Sequence, residues 1–312
     1  MLAKHIHSPV IEKVIFSNTN AELDGNEKVL SGDFYVYNEF SGNCFPATYL
    51  SLKGVGTLTT SDVSLFDGQG YDPQHYKIKE HYLTYDNKGR VISGKLEGGV
   101  TSFIKQSDAD NNLKIADITN VESGTFFYTS FESEKEGRSD DFQLINQNHS
   151  AIILESRTGI RSVNLDDASI QKTNIPVGKY ILSFWSKKTN SSGYHSDPIS
   201  SSLIIEKQVS PKKVNGWEYN YYVLTITASN QTITINGGFE LIDEMRLYPI
   251  DAQMNTYTYF PSGQIRSVTN AQDQTTFYEY DLMHRLKFIR DSDGYIVQEL
   301  QYHQASLIDS NY

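Results

Sequence analysis

Short runs of alternating apolar and polar residues, bounded by Gly, Asn and Asp, recur along this 312-residue chain, while a sustained helical period is almost absent. The run at 179–186, Lys-Tyr-Ile-Leu-Ser-Phe-Trp-Ser, alternates in this way. Residues 223–228 and 232–236 flank a three-residue turn and predict a hairpin. The pattern therefore predicts an all-β protein.

The composition supports β structure and limits the classes of partner. The chain has 21 Tyr and 15 Phe against 2 Trp and 4 Met, and tyrosine suits a pleated, half-wet surface. A net charge of −11 gives no basic field for phosphates, so nucleic acid is not an expected partner. No apolar stretch approaches 18 residues, which predicts no direct membrane insertion. The single cysteine, Cys44, excludes an intramolecular disulfide.

Three short segments repeat one pattern of residues. Each has a Tyr, three intervening residues, a residue suited to positive φ, a polar residue and an aliphatic. The fifth residues are Gly89, Gly263 and His284, and a hairpin turn commonly needs a left-handed residue there. We therefore interpret His284 as a turn residue, not a catalytic one, because His is enriched at positive φ. The segments are 85–91, 259–265 and 280–286.

These segments resemble the YD repeats of the RHS family, whose units carry a Tyr-Asp dipeptide before a turn and an Arg-aliphatic pair after it. The resemblance covers residues 255–303 well and 79–96 less fully. Asp281 and Arg285 match the family pattern, whereas Phe260 and Gln264 depart from it. The resemblance implies ribbons of stacked hairpins, within a large exported bacterial protein at the cell surface or outside the cell.

Residues 121–251 do not follow this repeat pattern. The order of several short segments in them resembles a carbohydrate-binding module of the galactose-binding, jelly-roll type. The expected fold is therefore a jelly-roll β-sandwich flanked by antiparallel β-hairpin repeats. It predicts three regions: a β ribbon at 1–120, the jelly roll at 121–251 and YD repeats at 252–312. The short segments are Thr129-Ser130-Phe131-Glu132, residues 158–163, residues 177–185, Gly216-Trp217-Glu218-Tyr219 and residues 242–249.

The jelly-roll resemblance implies a structural calcium ion where the first strand meets the last. Calcium takes six to eight oxygen ligands, and carboxylates are among those it prefers. The matching residues are Glu132 and Asp243. The alternative interpretation is that both are solvated or strand-end carboxylates.

Five aromatic residues are candidates for glycan binding, because a large rigid ring can lie flat against a sugar. Trp185 alternates out of phase with Tyr180, Leu182 and Phe184, so we expect the Leu182 set in the core and Trp185 on the other face. On that face the Trp185 ring is either covered or open to ligand. Trp217 is more typical of a packing residue. The candidates are Trp185, Tyr194, Trp217, Tyr219 and Tyr221.

Enzyme motifs were not found: the sequence has no Gly-x-Ser-x-Gly elbow, no phosphate loop and no His-Glu-x-x-His pair. We therefore expect a non-catalytic fragment of a longer RHS-type chain. One hypothesis is that the jelly roll binds surface glycan. The other is a purely structural or protein-interaction element without sugar binding. An aromatic strip left open on the jelly roll favours the first, and a face buried against the ribbons favours the second.

Overall fold

The protein is all-β, as the sequence predicts. The structure is a computed structural model that describes residues 10–17, 26–63, 71, 73–86, 88–99, 101–106, 113–132, 142–146, 152–165, 168–188, 199, 203–207, 212–236 and 241–302. Every regular element in these ranges is a strand. The chain divides into unit 1, Met1–Ile104, and unit 2, Lys105–Tyr312. The predicted boundaries at 120/121 and 251/252 fall inside unit 2.

Unit 1 contains an antiparallel meander in which each strand pairs with the next along the chain. Its core lies on one face of the sheet and includes Val29, Phe34, Leu50 and Tyr76. The alternation of β2 sends Phe34 into this core and Tyr35 to the opposite face. The strands are β1 Glu12–Phe16, β2 Val29–Phe40, β3 Asn43–Leu52, β4 Tyr76–Tyr85, β5 Val91–Leu96 and β6 Thr101–Gln106.

Unit 2 contains a β-sandwich, in which an eight-stranded and a three-stranded sheet enclose one apolar core. The strands of the larger sheet are β8 Phe127–Thr129, β10 Ile152–Ile153, β11 Ser162–Asn164, β13 Gly178–Lys187, β14 Ile204–Lys207, β15 Lys213–Val214, β16 Trp217–Ile226 and β18 Leu241–Pro249. The smaller sheet has β9 Gln143–Asn146, β12 Ala168–Lys172 and β17 Ile233–Ile235.

The sandwich core confirms the prediction made for β13. Tyr180, Leu182 and Phe184 all lie in the main core, with Leu182 and Phe184 fully buried. Facing them from the smaller sheet are Ile170 and Ile233. The apolar alternation of β13 therefore identified which side of this strand faces the opposing sheet.

Unit 2 also contains strands of a third sheet, in which β7 pairs with β19 and each later strand pairs with the next. We call β19 to β23 the hairpin ribbon. Each strand alternates small polar or aromatic residues across its two faces, as in Thr256, Thr258 and Tyr257. The strands are β7 Lys114–Thr119, β19 Gln253–Tyr259, β20 Ile265–Thr269, β21 Thr275–Tyr280, β22 Leu286–Arg290 and β23 Ile296–Glu299.

One turn geometry recurs five times in the described residues. Each turn has five residues. The carbonyl of the first residue accepts a hydrogen bond from the N–H of the fourth residue, and the N–H of the first residue donates to the carbonyl of the fifth, as in a three-residue hairpin loop with a bulge. The fourth residue always has positive φ, and His284 has φ 61°, which confirms its role in the turn. The sequence repeat showed three of these turns, at 86–90, 260–264 and 281–285. The other two are at 270–274 and 291–295.

Side chains reinforce this turn in a regular way. The Asp281 carboxylate accepts bonds from the backbone N–H groups of Met283 and Arg285, each 2.9 Å away, and from the Arg285 Nε. Asp86 makes the same set of bonds with Lys88 and Arg90. The Asp and Arg of the repeat therefore close the turn, because the carboxylate satisfies two amides that the loop leaves unpaired.

Candidate functional site

The most concentrated set of buried polar side chains lies where β18 of the sandwich faces the hairpin ribbon. Asp243, Glu244 and Arg246 are all fully or almost fully buried on β18. A bulge between β13 and β18 places Glu244 at φ 53°, in the left-handed region. Because a bulge breaks the alternation of faces, Asp243 and Glu244 both contact Thr158 although they are consecutive residues.

Arg246 joins the sandwich to the ribbon. Its Nη2 donates to Glu244 Oε1 at 2.8 Å and to Thr256 Oγ1 at 2.6 Å. Its Nη1 donates to Asp273 Oδ1 at 3.0 Å and to the Asn270 carbonyl at 3.3 Å, both in the 270–274 turn. A buried guanidinium needs such partners, because an uncompensated charge in this environment is strongly destabilising. Arg246 is therefore a clamp between the two substructures.

Arg157 forms a second clamp from the loop between β10 and β11. Its Nη2 donates to the Ser292 carbonyl at 2.6 Å, in the 291–295 turn. The guanidinium carbon lies 4.6 Å from the Trp185 ring centre and 5.0 Å from the Phe277 ring centre. Lys212 adds an ion pair to Asp293 at 3.2 Å. Two turns of the ribbon, 270–274 and 291–295, therefore dock on the sandwich, and we call them the docking turns.

The electrostatic environments of the two adjacent carboxyls differ. Burial and the neighbouring Glu244 charge raise the pKa of Asp243 well above its ordinary value, although two amides of the 157–158 loop donate to it. Burial would also raise the pKa of Glu244. There, however, the Arg246 charge and bonds from Thr256 and Tyr128 outweigh burial and lower the pKa. The two groups therefore ionise over different pH ranges.

Trp185, the leading sugar-platform candidate, is covered. Its side chain is 2% exposed and packs in a small apolar cluster with Val214, Trp217 and Leu241. Trp185 does lie on the face opposite Leu182, as predicted, but the Arg157 guanidinium stacks over its ring. Of the two alternatives for Trp185, covered or open to ligand, the structure has the covered one, because a long cationic side chain from a neighbouring loop occupies the ring face.

The three other candidates that the structure describes do not form an open strip either. Trp217 is 4% exposed and packs beside Trp185, as the packing interpretation predicts. The Tyr219 ring centre is 5.3 Å from that of Trp185, and burial raises the pKa of its hydroxyl, as does nearby Asp273. Tyr221 is half-buried. Tyr194 lies outside the described residues.

The predicted calcium ligands, Glu132 and Asp243, lie beside one loop but receive amide hydrogens from it. Ile160 N donates to Glu132 Oε1 at 2.9 Å, and Thr158 N donates to Asp243 Oδ2 at 2.8 Å. Arg157 N donates to the same Asp243 oxygen at 2.7 Å. Calcium requires oxygen ligands directed at it, whereas here the loop directs N–H groups at the carboxylates. The donor set does not fit calcium.

Within the described residues, no group of three or more His, Cys, Asp or Glu side chains is arranged to hold a metal ion. Gly159 explains how the loop approaches Glu132 so closely, since a Cβ there would overlap the Glu132 carboxylate and φ is +60°. Consecutive backbone N–H groups of this kind form an anion-binding concavity. Here two side-chain carboxylates of the same chain are the anions that it binds.

Sequence reasoning missed Arg157, Arg246 and Asp273. One signal was present: residues 243, 244 and 246 place three charges inside a run that is otherwise apolar. Charged residues are almost never fully buried unless they are paired, so this run, once assigned to a buried strand, would have indicated an ionic network.

The sequence matches no known protein family and no curated protein. In the part of the chain that the structure describes, no helix is long and apolar enough to cross a membrane.

Proposed function

We propose that this chain is a non-catalytic, structural segment of a longer bacterial surface protein of the RHS type, in which a jelly-roll-like sandwich is fixed to YD-type hairpin repeats. The observation that carries the proposal is the docking of the ribbon turns on the Trp185 face of the sandwich. Of the two hypotheses from the sequence, a face buried against the ribbons favours the structural one. The buried rings argue against a glycan platform on the sandwich.

The regularity of the hairpin ribbon supports the repeat part of the proposal. The hydroxyl of Tyr280 donates to the Ile265 carbonyl at 3.0 Å, and that of Tyr302 donates to the Leu286 carbonyl at 2.7 Å. Each tyrosine thus bonds to the first residue of an earlier strand, which is β20 for Tyr280 and β22 for Tyr302. A side chain that repeats this contact has a structural role in every unit of a stacked array.

The exposed edge of the ribbon supports a longer assembly. Among the described strands β23 pairs only with β22, and all four of its side chains are exposed. Ile296 and Val297 are 48% and 61% exposed. Natural proteins normally shorten, charge or cover such an edge. A neighbouring strand of the same repeat type would cover it.

The polar network also supports a structural role over a catalytic one. The oxygens of Asp243 accept amide hydrogens from the loop, and those of Glu244 accept from Arg246 and Tyr128. Groups held in this way fix the position of an element, since satisfied buried networks make a structure rigid.

Surface digestion of intact cells of the source bacterium tests the proposal. An antiserum raised against this chain should detect a polypeptide larger than the 35.3 kDa of the chain. Protease added to intact cells should remove the signal, while a cytosolic marker should survive. A signal at about the mass of the chain that protease reaches only after lysis would contradict the proposal.

A further inference from the structure

A row of tyrosine rings lies on the side of the unit 1 sheet that faces away from its core. In β2, Tyr35 lies between core-facing Phe34 and Val36, so its ring projects to the opposite face. Tyr49 is its register partner in β3, and Glu80 is the partner of Tyr49 in β4. We call this surface the tyrosine face. It comprises Tyr35, Tyr37, Tyr49, Tyr82 and Tyr85, with Asp33 and Glu80.

The rings are arranged as flat pairs. Tyr35 and Tyr49 stack with ring centres 5.3 Å apart and an interplanar angle of 26°. Phe45 and Tyr85 stack at 4.7 Å and 23°, and Tyr82 meets Tyr85 edge-on at 6.4 Å. Stacked neighbours hold each other's orientation, so these rings form a preorganised surface and lose little freedom when a ligand binds.

Polar groups lie between the rings. Asp33 Oδ1 accepts a hydrogen bond from the Tyr49 hydroxyl at 2.8 Å. This bond, together with burial, raises the pKa of Tyr49 to about 12, and burial beside Glu80 raises that of Tyr82 to about 12. Three of the phenols already donate their hydrogens within the chain: Tyr49 to Asp33, Tyr37 to the Val10 carbonyl and Tyr85 to the Pro46 carbonyl. The phenol oxygens and the carboxyl side chains are therefore acceptors for the hydroxyl groups of a ligand.

This face is not the core of unit 1. The core of the same strands lies on the other side and includes Phe34, Leu50 and Tyr76, each of them buried. All five tyrosines of the tyrosine face are only half-buried. Tyrosine is enriched at binding surfaces because its ring is apolar while its hydroxyl still forms hydrogen bonds.

We infer that the tyrosine face binds a neutral polysaccharide chain, in which the ring surfaces left outside the stacked pairs pack on the sugars while the phenol oxygens and carboxyls accept hydrogen bonds from sugar hydroxyls. The proposal rests on unit 1 alone and does not depend on the proposed function. Asp33 and Glu80 oppose a phosphate- or sulfate-bearing polymer, and the net charge of −11 has the same sign. They also oppose face-to-face packing of a second copy, which would bring like charges together.

Affinity electrophoresis of the full chain tests this inference with soluble β-glucan, galactomannan and dextran as the neutral probes. At least one of them should retard the protein, and heparin should not. Tyr35→Ala/Tyr49→Ala removes one stacked pair and should weaken binding at least tenfold. Tyr35→Phe/Tyr49→Phe keeps the rings and should retain most of it. Tyr295→Ala is the matched control, because Tyr295 is 72% exposed but lies in unit 2.

Melting curves accompany each variant. If the alanine pair fails to fold, Asp33→Asn replaces it, since that change keeps the shape and removes one acceptor charge; a measurable loss of affinity is then expected. The inference is overturned if no neutral probe retards the wild type, or if a folded Tyr35→Ala/Tyr49→Ala variant, or Asp33→Asn in its place, is retarded as much as the wild type. Sedimentation that shows a dimer lost in these variants, with no retardation by polysaccharide, would instead assign the face to a second copy.

Discussion

Asp243 and Glu244 are consecutive, fully buried carboxyls whose pKa values move in opposite directions. Asp243 accepts hydrogen bonds only from backbone amides among its described contacts. Glu244 is paired with the Arg246 guanidinium at 2.8 Å. Burial therefore dominates for Asp243, whose pKa is raised, and the ion pair dominates for Glu244, whose pKa is lowered. The bulge in β18 brings these two environments into contact.

This relationship predicts opposite pH dependences for Asp243→Asn and Glu244→Gln. A raised folded-state pKa means that wild-type stability falls as pH rises from about 3.9, the unfolded value, towards the folded value. Asp243→Asn should therefore gain stability relative to wild type as pH rises. A lowered pKa at Glu244 gives stability that is present above about 4.3 and is lost on acidification.

Glu244→Gln should accordingly cost about 3 kcal/mol at neutral pH, since it breaks one partner of a buried pair. Its deficit should shrink as pH falls below 4. Thermal unfolding of the three proteins between pH 3.5 and 8 measures both trends. Parallel curves for the two variants would show that the carboxyls share one environment.

Trp185→Ala should unfold or strongly destabilise the sandwich. The ring is 2% exposed and is packed by Trp217 and Arg157, so truncation should cost about 3–5 kcal/mol. Urea unfolding followed by circular dichroism measures the loss. Tyr295→Ala, at an exposed site, should stay within about 0.5 kcal/mol of wild type. A Trp185→Ala protein as stable as this control would restore Trp185 as an open surface residue.

The sequence predicted those features that depend on local pattern. Alternation gave the all-β class and the core face of β13, and the repeated Tyr-turn segments located three of the five ribbon-type turns. It did not give the partner of the Trp185 face. Strand alternation says that a ring leaves the core, but not which distant loop then covers it. Arg157 reaches Trp185 only through tertiary folding.

The calcium prediction shows the same limit from the other direction. Glu132 and Asp243 do lie beside one loop. The sequence, however, could not show whether that loop presents carbonyl oxygens or amide hydrogens. The answer depends on the backbone around Gly159, which is in the left-handed region.

Calcium should therefore leave the melting temperature unchanged. The amides of residues 157, 158 and 160 already satisfy the carboxylates of Glu132 and Asp243. Melting curves in millimolar calcium and in chelator should superimpose. A rise with calcium would contradict this account, provided that it is lost in Asp243→Asn. A true site with calcium at 100 times Kd would add about 2.7 kcal/mol.

Gly89→Ala and Gly263→Ala should differ although both change the same position of the turn. Their φ angles are +80° and +83°, so both variants bear the strain of a left-handed alanine. A Cβ on Gly89 would lie 2.7 Å from Phe45 Cε1, whereas one on Gly263 meets nothing within 4 Å. Gly89→Ala should therefore be the more destabilising in thermal unfolding. Equal losses would mean that Phe45 moves aside without cost.

The central claim is that the ribbon turns hold the sandwich, and tryptophan fluorescence reports on it directly. The only two tryptophans, Trp185 and Trp217, both lie in the sandwich. Asp273 in a docking turn and His284 in an opposite turn occupy the same turn position, at φ 58° and 61°. Asp273→Gly and His284→Gly thus keep the backbone geometry, but only the first removes a partner of Arg246.

Urea unfolding followed by tryptophan emission is the deciding measurement. Asp273→Gly should lower the unfolding free energy by about 1.5–3 kcal/mol, the value of a hydrogen bond to a charged group. His284→Gly should stay within about 0.5 kcal/mol of wild type. If the two variants have the same unfolding free energy by tryptophan emission, the ribbon does not hold the sandwich and the account is contradicted.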